Sequence, residues 1–187
     1  MTLDQIIERT YQLPASSRAQ LAMYVTEVSY PKCHVLLRAD RVESYMYFIK
    51  KGIARAYTRF DDNEITFWFG KEGDMLVSLK SFVDDQKGYE TIELLEDCEL
   101  YVIGISNLRA LFTEDIHIAN WGRKLVEQEL IKTEERLISR LFQTASERYK
   151  DLLQHNHDLL KRVQLGYIAS YLGITQVSLS RIRAEIK

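Results

Sequence analysis

Apolar and polar residues alternate with two different periods along this chain of 187 residues. Between Thr2 and Val28 the apolar residues recur at helical spacing on both sides of Pro14, which predicts two short helices. From Pro31 to about Ile105 the pattern changes to short β-rich segments separated by turn residues. The clearest segments are Tyr45–Ile49, Ile53–Tyr57, Ile65–Phe69, Thr91–Leu94 and Leu100–Ile103, and the turns are Lys50–Gly52, Asp61–Asn63, Lys71–Asp74 and Glu96–Asp97. Their short, regular spacing predicts an antiparallel sandwich or barrel and not a βαβ sheet.

A long segment from about Asp115 to Phe142 contains no Pro and is rich in Glu, Lys, Arg and Leu. It predicts one continuous helix. Four of its residues follow the a/d spacing of a two-stranded coiled coil, with charged residues on either side: Val126, Leu130, Thr133 and Leu137. The stripe favours dimerisation, although it could instead pack against the β-rich domain.

A further helix is expected from Ser146 to about Gln154, and the run Leu165–Arg183 then reads as a helix-turn-helix. Ala169 is small where two helices cross, Gly173 can adopt the positive φ that ends the first helix, and Thr175 can cap the second. The apolar seam between the two helices consists of Ile168, Leu172, Ile174, Leu179 and Ile182. This motif suggests a DNA-binding protein.

The outward face of the second helix stays polar, with Gln176, Ser178, Arg181 and Arg183 available for hydrogen bonds to bases and phosphates. An ordinary αα-hairpin inside a larger core is the structural alternative for the same spacing. For Arg181 the alternative is a surface salt bridge with Glu185, four residues further on.

Charge is unevenly distributed along the chain. The net charge is −2, but seven basic and four acidic residues follow Thr144, which leaves this last segment at +3 and the remainder at −5. A mildly basic segment on an acidic body favours contact with phosphates.

Composition excludes several other classes of protein. No apolar run approaches the ~20 residues of a membrane span, and the start Met1–Gln5 resembles no secretory leader. We therefore expect a cytoplasmic protein without membrane contact. Cys33 and Cys98 are too few for a four-thiolate zinc or iron-sulfur site in one chain.

The histidines do not form a metal-binding pattern. They are scattered, and the last two are expected in a solvated loop: His34, His117, His155 and His157. A β-rich domain with His34 and His117 is superficially similar to a cupin metal enzyme, but no cluster of metal ligands, Gly-rich phosphate loop or nucleophile elbow is visible. We expect no metal, no cofactor and no enzymatic activity.

The order of these elements resembles the Crp/Fnr family of bacterial transcription regulators over nearly the whole chain. The most specific parts of the resemblance are Thr144–Tyr149, Ile168–Thr175 and Leu179–Arg183. In the β-rich domain, Gly73-Asp74 followed by Ser81-Phe82 looks like the entry to the family's phosphate-binding cassette. The resemblance implies an α+β fold with a jelly-roll-like antiparallel β-roll sensor domain over 1–114, a central dimerisation helix over 115–142 and a small all-α helix-turn-helix domain over 143–187.

The resemblance also implies a homodimer whose paired recognition helices enter successive major grooves about 34 Å apart on near-palindromic double-stranded DNA. RNA polymerase is a further candidate partner. The family's base-reading positions fall on Gln176, Val177 and Arg181, whereas Thr175 and Ser178 are better placed for phosphate. Gln176 and Val177 depart from the charged pair that is common there, so the operator sequence cannot be inferred from the operators of other family members.

The cassette departs further from the family's pattern. Members that bind cyclic nucleotides carry a Gly-Glu pair and an Arg-Ser or Arg-Thr pair, where this chain has Val77-Ser78 and Gly88-Tyr89. Because both charged contacts are absent, we expect no micromolar binding of cyclic AMP.

A different, unknown small-molecule effector could still occupy the cassette. Ser78, Leu79, Tyr89 and Glu90 would line its side of the pocket, and Thr133 on the central helix would close it. Alternatively the β-roll is filled by its own aromatic residues, for which the candidates are Tyr45, Tyr47, Phe67, Trp68, Phe69 and Phe82.

The sequence ends at Lys187, where family members usually continue into a β-wing. We expect some phosphate contacts to be absent, with Lys161 and Arg162 as substitutes. A regulator that is effector-independent, or that has lost DNA binding and acts through protein contacts, is the alternative function.

Overall fold

A computed structural model describes residues 1–61 and 63–186. Asp62 of the predicted turn at Asp61–Asn63 and the final residue Lys187 lie outside the described residues. Within that range the helices are α1 Leu3–Thr10, α2 Ala15–Ala22, α3 Leu79–Asp84, α4 Ile105–Glu114, α5 Ile116–Phe142, α6 Ala145–His155, α7 His157–Arg162, α8 Leu165–Leu172 and α9 Gln176–Glu185.

Eight strands of the described residues form two four-stranded sheets. The strands are β1 Thr26–Tyr30, β2 Val35–Leu37, β3 Tyr45–Lys51, β4 Ala54–Phe60, β5 Asn63–Gly70, β6 Met75–Leu76, β7 Thr91–Leu94 and β8 Cys98–Gly104. One sheet has the order β1-β8-β3-β6 and the other β2-β7-β4-β5. This arrangement confirms the predicted α+β class with an antiparallel β-roll.

The register of β8 shows why its apolar residues select this pairing. β8 lies between β1 and β3, antiparallel to both, so that Leu100 is opposite Val28 on one side and Ile49 on the other. Leu100 and Ile49 are fully buried. A shift by one residue would turn these side chains to the opposite face, so burial holds the register.

The main hydrophobic core joins the N-terminal helices to the first sheet and to the start of α5. Thr2 and Gln5 form a capping box at the start of α1, which places Ile6 and Ile7 in the core. Phe48 of β3 packs on Trp121 of α5 with the ring centroids 5.7 Å apart.

The chain divides into two compact units. Unit 1 comprises Met1–Ala56 and Phe69–Glu129, and unit 2 comprises Tyr57–Trp68 and Leu130–Lys187. Unit 1 holds most of the β-roll, whereas unit 2 holds the C-terminal helices and the end of the β4–β5 hairpin. The predicted boundaries at 114 and 142 stay a prediction.

Several short elements differ from the sequence-based expectation. The predicted helical pattern up to Val28 is wrong at its end, because β1 begins at Thr26 and pairs with β8. The predicted loop around His155 and His157 is largely helical, since these residues end α6 and begin α7. The cassette contains the one-and-a-half-turn helix α3, and the strands β2 and β6 were not expected. The strands are short and their pairing partners are distant in sequence, so local periodicity does not reveal them.

Candidate functional site

The helix-turn-helix is built as its sequence predicts. α8 ends at Gly173, which has φ 68°, and the amides of Gly173 and Ile174 bond the carbonyls of Ser170 and Ala169, each at 3.0 Å. This is the Schellman arrangement that a left-handed glycine permits. Thr175 then caps α9, its hydroxyl accepting a 3.1 Å bond from the amide of Ser178.

The apolar seam holds the two helices together. Leu179 of α9 is fully buried, as is Ile168 of α8, and Ala169 and Leu172 are each 2% exposed. A buried seam fixes which face of α9 is turned to solvent.

The predicted DNA-contacting residues lie on that outer face. Gln176, Val177 and Arg181 are exposed, Val177 by 63%. Thr175 is exposed and Ser178 is half-buried, with their hydroxyl oxygens 3.0 Å apart. Within the part of the chain that the structure describes, Arg181 forms no ion pair, so the salt bridge with Glu185 is absent. The structure brings all five residues to the first turns of one helix.

Three arginines, which sequence reasoning missed as a group, surround the C-terminal end of α8. Arg148 of α6 donates to the carbonyl of Leu172 at 2.9 Å and to that of Gln143. Arg136 of α5 donates to the carbonyl of Tyr171 at 3.3 Å, and its guanidinium lies 3.7 Å from the centre of the Tyr171 ring. The guanidinium of Arg140 occupies the space that a Cβ at Gly173 would need.

These cations complement the negative end of the α8 dipole and its unpaired carbonyls. Burial lowers the pKa of Arg136 and of Arg148, but a guanidinium remains charged at neutral pH. The available sequence signal was the spacing of Arg136 and Arg140 on one face of the helix, i to i+4. The arginines therefore attach the first helix of the motif to α5 and α6.

The hairpin end in unit 2 also contacts the motif. The Ser170 hydroxyl accepts from the amide of Thr66 and donates to the carbonyl of Glu64, both at 2.9 Å. Ser170 thus continues the backbone pairing of β5 with a side chain of α8. Nothing in the periodicity of either segment predicts this contact.

The cassette in unit 1 contains a buried polar cluster. Ser78, Gly88 and Glu90 are buried, and the hydroxyls of Ser78 and Ser81 are 3.2 Å apart. The Ser81 hydroxyl also donates to the carbonyl of Gln86 at 2.9 Å and accepts from the amide of Glu43 at 3.0 Å.

Gly88 is required by this packing. A Cβ there would overlap the Ser78 hydroxyl and lie 3.0 Å from Glu90 Oε1.

The Glu90 carboxyl is the most unusual group of the cassette. Its residue is 6% exposed, and Oε2 accepts a 3.1 Å bond from the amide of Tyr89. Among the described residues Oε1 is buried without a hydrogen-bond partner. A buried carboxylate therefore stands beside the position where the family's cyclic-nucleotide-binding members carry a cation.

The remaining predicted cassette residues are less enclosed. Leu79 and Tyr89 are exposed by 48% and 55%, and Val77 is half-buried. Lys80 lies in α3, with its ammonium 5.7 Å from the centre of the Tyr89 ring. Thr133 belongs to unit 2 and is exposed. Closure of the pocket by Thr133 stays a prediction.

The aromatic filling of the β-roll is only partly observed. Of the six candidates Tyr47 alone is buried, at 8% exposed, whereas Tyr45 is 52% exposed. Phe67, Trp68, Phe69 and Phe82 are half-buried. The principal buried aromatic pair is instead Phe48 with Trp121.

The predicted stripe of α5 faces solvent. Val126 is 43% exposed, Leu130 and Leu137 are each 58% exposed, and Thr133 is exposed. Other apolar side chains at the end of α5 are exposed as well: Ile138 by 56%, Leu141 by 68% and Phe142 by 82%. In the described chain this apolar surface is uncovered.

Within residues 1–61 and 63–186, no three His, Cys, Asp or Glu side chains stand close enough to hold a metal ion. None of the described helices combines the length and the hydropathy that crossing a bilayer requires.

Part of this architecture matches a known protein family. Residues 27–115 match the family model of the cyclic nucleotide-binding domain. No curated protein sequence matches the chain significantly.

Solved structures match over nearly the full length. FixK2 from Bradyrhizobium japonicum superimposes with a TM-score of 0.76 at 22% identity, covering 87% of this chain and 84% of that one. The global regulator CLP of Xanthomonas campestris, described as responsive to c-di-GMP, gives a TM-score of 0.72 at 16% identity and coverages of 92% and 91%.

A transcriptional regulator of the Crp/Fnr family from Eubacterium rectale gives a TM-score of 0.73 at 16% identity, with coverages of 91% and 82%. The Xanthomonas and Eubacterium proteins are described as regulators. Residues 27–115 therefore form a domain of the cyclic nucleotide-binding type, and the chain has the fold of the Crp/Fnr transcription regulators.

Proposed function

We propose that this chain is a transcription regulator that binds double-stranded DNA as a homodimer through α9. The observation that carries the proposal is the exposed polar face of α9, where Gln176 and Arg181 are exposed in front of a buried seam. An arginine in this position can donate two bonds to the O6 and N7 acceptors of guanine.

The phosphate contacts would come from the start of α9 and from nearby basic residues. The hydroxyls of Thr175 and Ser178 lie at the N-terminal end of the helix, where the helix dipole also favours a phosphate. Lys161 and Arg162 at the end of α7 are exposed and add positive charge.

Dimerisation would cover the apolar stripe of α5. Exposed leucines at a/d spacing lose contact with water when a second copy of the helix packs on them. A dimer also presents two recognition helices to a near-palindromic site.

The effector of the cassette would not be a phosphate compound. Glu90 places a carboxylate where a phosphate would need a cation, so a phosphate would be buried beside a like charge. The argument applies to cyclic AMP and equally to the cyclic dinucleotide named for the Xanthomonas regulator. Calorimetry should give no saturable micromolar isotherm with either compound, and one would contradict this part of the proposal.

DNA binding can be tested without a known operator. The full chain selects binding sequences from a random duplex library at fixed salt, and affinities are then measured on the selected site and on random DNA. Arg181→Ala should weaken binding to the selected site by about 1–3 kcal/mol while random DNA changes little. Arg38→Ala removes the same charge from an exposed position of unit 1 and is the control, which should leave both affinities unchanged.

Two outcomes would contradict the DNA proposal. Failure of the wild-type chain to enrich any sequence would exclude specific DNA binding. Equal losses on selected and random DNA for Arg181→Ala would make Arg181 a phosphate contact and not a base contact.

The dimer has a separate test. Leu130→Asp places a charge in the stripe and should convert the dimer to a monomer in sedimentation experiments. Ile131→Asp alters an adjacent residue that is 52% exposed but lies outside the stripe, so it should leave the dimer intact. A wild-type monomer at micromolar concentration would contradict the proposed assembly.

A further inference from the structure

The three arginines at the C-terminal end of α8 differ in what they bind. Arg136 and Arg148 donate hydrogen bonds to backbone carbonyls and are half-buried. Arg140 is exposed, and within residues 1–61 and 63–186 its guanidinium forms neither a hydrogen bond nor an ion pair. Its five N–H donors can therefore bind another molecule without breaking a bond inside the protein.

Positive charge accumulates around Arg140 without a counter-charge. Burial lowers the pKa of Arg148, and the like charge of Arg140 lowers it further, as expected for neighbouring guanidiniums. Burial also lowers the pKa of Arg136, with Arg140 as a further cause. The carboxylate of Asp151 accepts a 2.9 Å bond from the Gln143 side chain, and no carboxylate of the described chain pairs with any of the three arginines. A group of like charges without a counter-charge attracts an anion.

The Arg140 guanidinium lies at the turn of the helix-turn-helix. A Cβ at Gly173 would overlap it, so the glycine lets this planar group lie against the backbone of the turn. Thr175, two residues further on, caps α9, and its hydroxyl is 3.0 Å from that of Ser178. Two residues span at most about 7 Å, so the cation stands close to the hydroxyls at the start of α9.

We infer that Arg140 binds a backbone phosphate of double-stranded DNA, either the one that Thr175 and Ser178 contact or the next along the strand. A guanidinium can donate two parallel bonds to phosphate oxygens, and Ser and Thr hydroxyls are common partners of the same groups. The phosphate would also supply the counter-charge that the three arginines lack. This role of Arg140 rests on the proposed DNA function and adds a residue of α5, outside the helix-turn-helix, to the contact surface.

The experiment measures how DNA binding by the full chain depends on salt. Affinities for the selected site and for random duplex DNA are determined by fluorescence anisotropy between about 50 and 200 mM NaCl. Loss of one phosphate contact reduces the slope of log affinity against log salt by about one. Arg140→Gln should reduce the slope by this amount for each protomer bound. Both DNAs should be weakened by the same factor, about threefold to tenfold at low salt.

Two further variants separate the charge of Arg140 from other effects. Arg123→Gln removes the same charge from the unit 1 part of the same helix, where the side chain is 61% exposed. It should leave the slope and both affinities unchanged. Arg140→Lys keeps the charge and should keep the wild-type slope.

Folding and assembly are checked on the same proteins. Arg140→Gln should unfold at the wild-type temperature, because Arg140 forms no bond with the described residues that the substitution could remove. Sedimentation should give the wild-type oligomeric state, which matters because Arg140 follows Leu137 at the a/d spacing of α5. Arg140→Lys carries the test if the glutamine variant changes either property, since a phosphate contact by charge predicts the wild-type slope for it.

The failures of this role and of the proposed DNA function are distinguishable. Wild-type binding with an unchanged salt slope in Arg140→Gln would overturn the phosphate contact alone. So would a loss confined to the selected site, or a slope that falls as far in Arg140→Lys. Saturable micromolar binding of inorganic pyrophosphate that Arg140→Gln abolishes, with DNA binding unchanged, would assign the arginine to a free phosphate compound instead. Absence of DNA binding by the wild-type chain would overturn both.

Discussion

The helix-turn-helix and the cassette differ in where their polar side chains lie. On α9 the polar side chains of Gln176 and Arg181 lie in solvent, where an unpaired group costs nothing because water satisfies it. In the cassette Glu90 is buried, and one of its oxygens has no partner among the described residues. Water forms hydrogen bonds to an exposed polar group, whereas a buried polar group without a partner lowers the stability of the folded protein.

The two regions also differ in how far local sequence preferences explain their structures. In the helix-turn-helix the glycine, the cap and the apolar seam all favour the same structure, so local preferences and the tertiary fold agree. In the cassette a buried carboxyl group keeps one oxygen without a partner among the described residues, and no period of the sequence predicts the short helix α3. The structure of the helix-turn-helix therefore follows local sequence rules more closely than that of the cassette.

The largest effect should follow from removing the seam behind the exposed face. Leu179→Ala leaves a cavity at a fully buried position and should lower the free energy of unfolding by about 2–5 kcal/mol, with loss of DNA binding. Val177→Ala truncates a side chain of the same helix that is 63% exposed and should change stability little. Chemical denaturation of both variants measures the contrast. Equal losses would show that α9 is not anchored by this seam.

Arg148 tests whether the arginines at the end of α8 hold the motif in place. Arg148→Met keeps much of the aliphatic stem but removes the donors to the Leu172 and Gln143 carbonyls, so the free energy of unfolding should fall by about 1–3 kcal/mol. Arg183→Met, at an exposed position of α9, is the control for loss of one positive charge. If the two variants unfold alike, the bonds to the carbonyls contribute nothing.

Gly88 tests the tight packing of the cassette. Gly88→Ala should cost about 1–3 kcal/mol, because the new methyl group overlaps the Ser78 hydroxyl. Adding Ser78→Ala should recover part of this loss in a double-mutant cycle. Gly166→Ala, whose Cβ would have Gln176 Oε1 3.7 Å away, should not destabilise the protein. Additive effects of the two cassette substitutions would contradict the overlap.

The smallest effect concerns the capping box at α6 and its dependence on pH. The backbone amide and then the hydroxyl of Thr144 donate to the Glu147 carboxylate, and these bonds lower its pKa from the usual 4.5. Since the folded-state pKa is the lower one, the stabilisation is complete above pH 4.5 and is lost as the pH falls through the folded-state value.

Glu147→Gln should therefore reduce stability slightly near pH 7, and its difference from wild type should shrink in acid. Denaturation at several pH values measures this difference. Glu185→Gln, which removes a carboxylate without a capping bond, serves as the control. A difference that stays constant from neutral pH to below pH 4 would contradict the proposed role of Glu147.

How far the sequence predicted each region depends on the range of the interactions. The helices α5, α8 and α9 and the strands around β3, β7 and β8 follow from periodicity, because their apolar residues repeat every three to four or every two positions. The short strands β2 and β6 have too few residues to show a period, and α7 begins within a polar loop pattern. The contact of Ser170 with Thr66 joins residues that are 104 positions apart, which no local pattern reveals.

The sequence by itself determined the order of the elements, the caps and turns of the helix-turn-helix, and the absence of four thiolates for a cluster, since each depends on residues that are neighbours in the chain or on their number. Only the tertiary structure decided which polar groups are buried without partners. Glu90 and Trp121 have ordinary neighbours in sequence, and their isolation arises from side chains that other elements bring against them. The unpaired oxygen of the buried Glu90 carboxyl and the unpaired indole nitrogen of the buried Trp121, both found among the described residues, are therefore properties of packing.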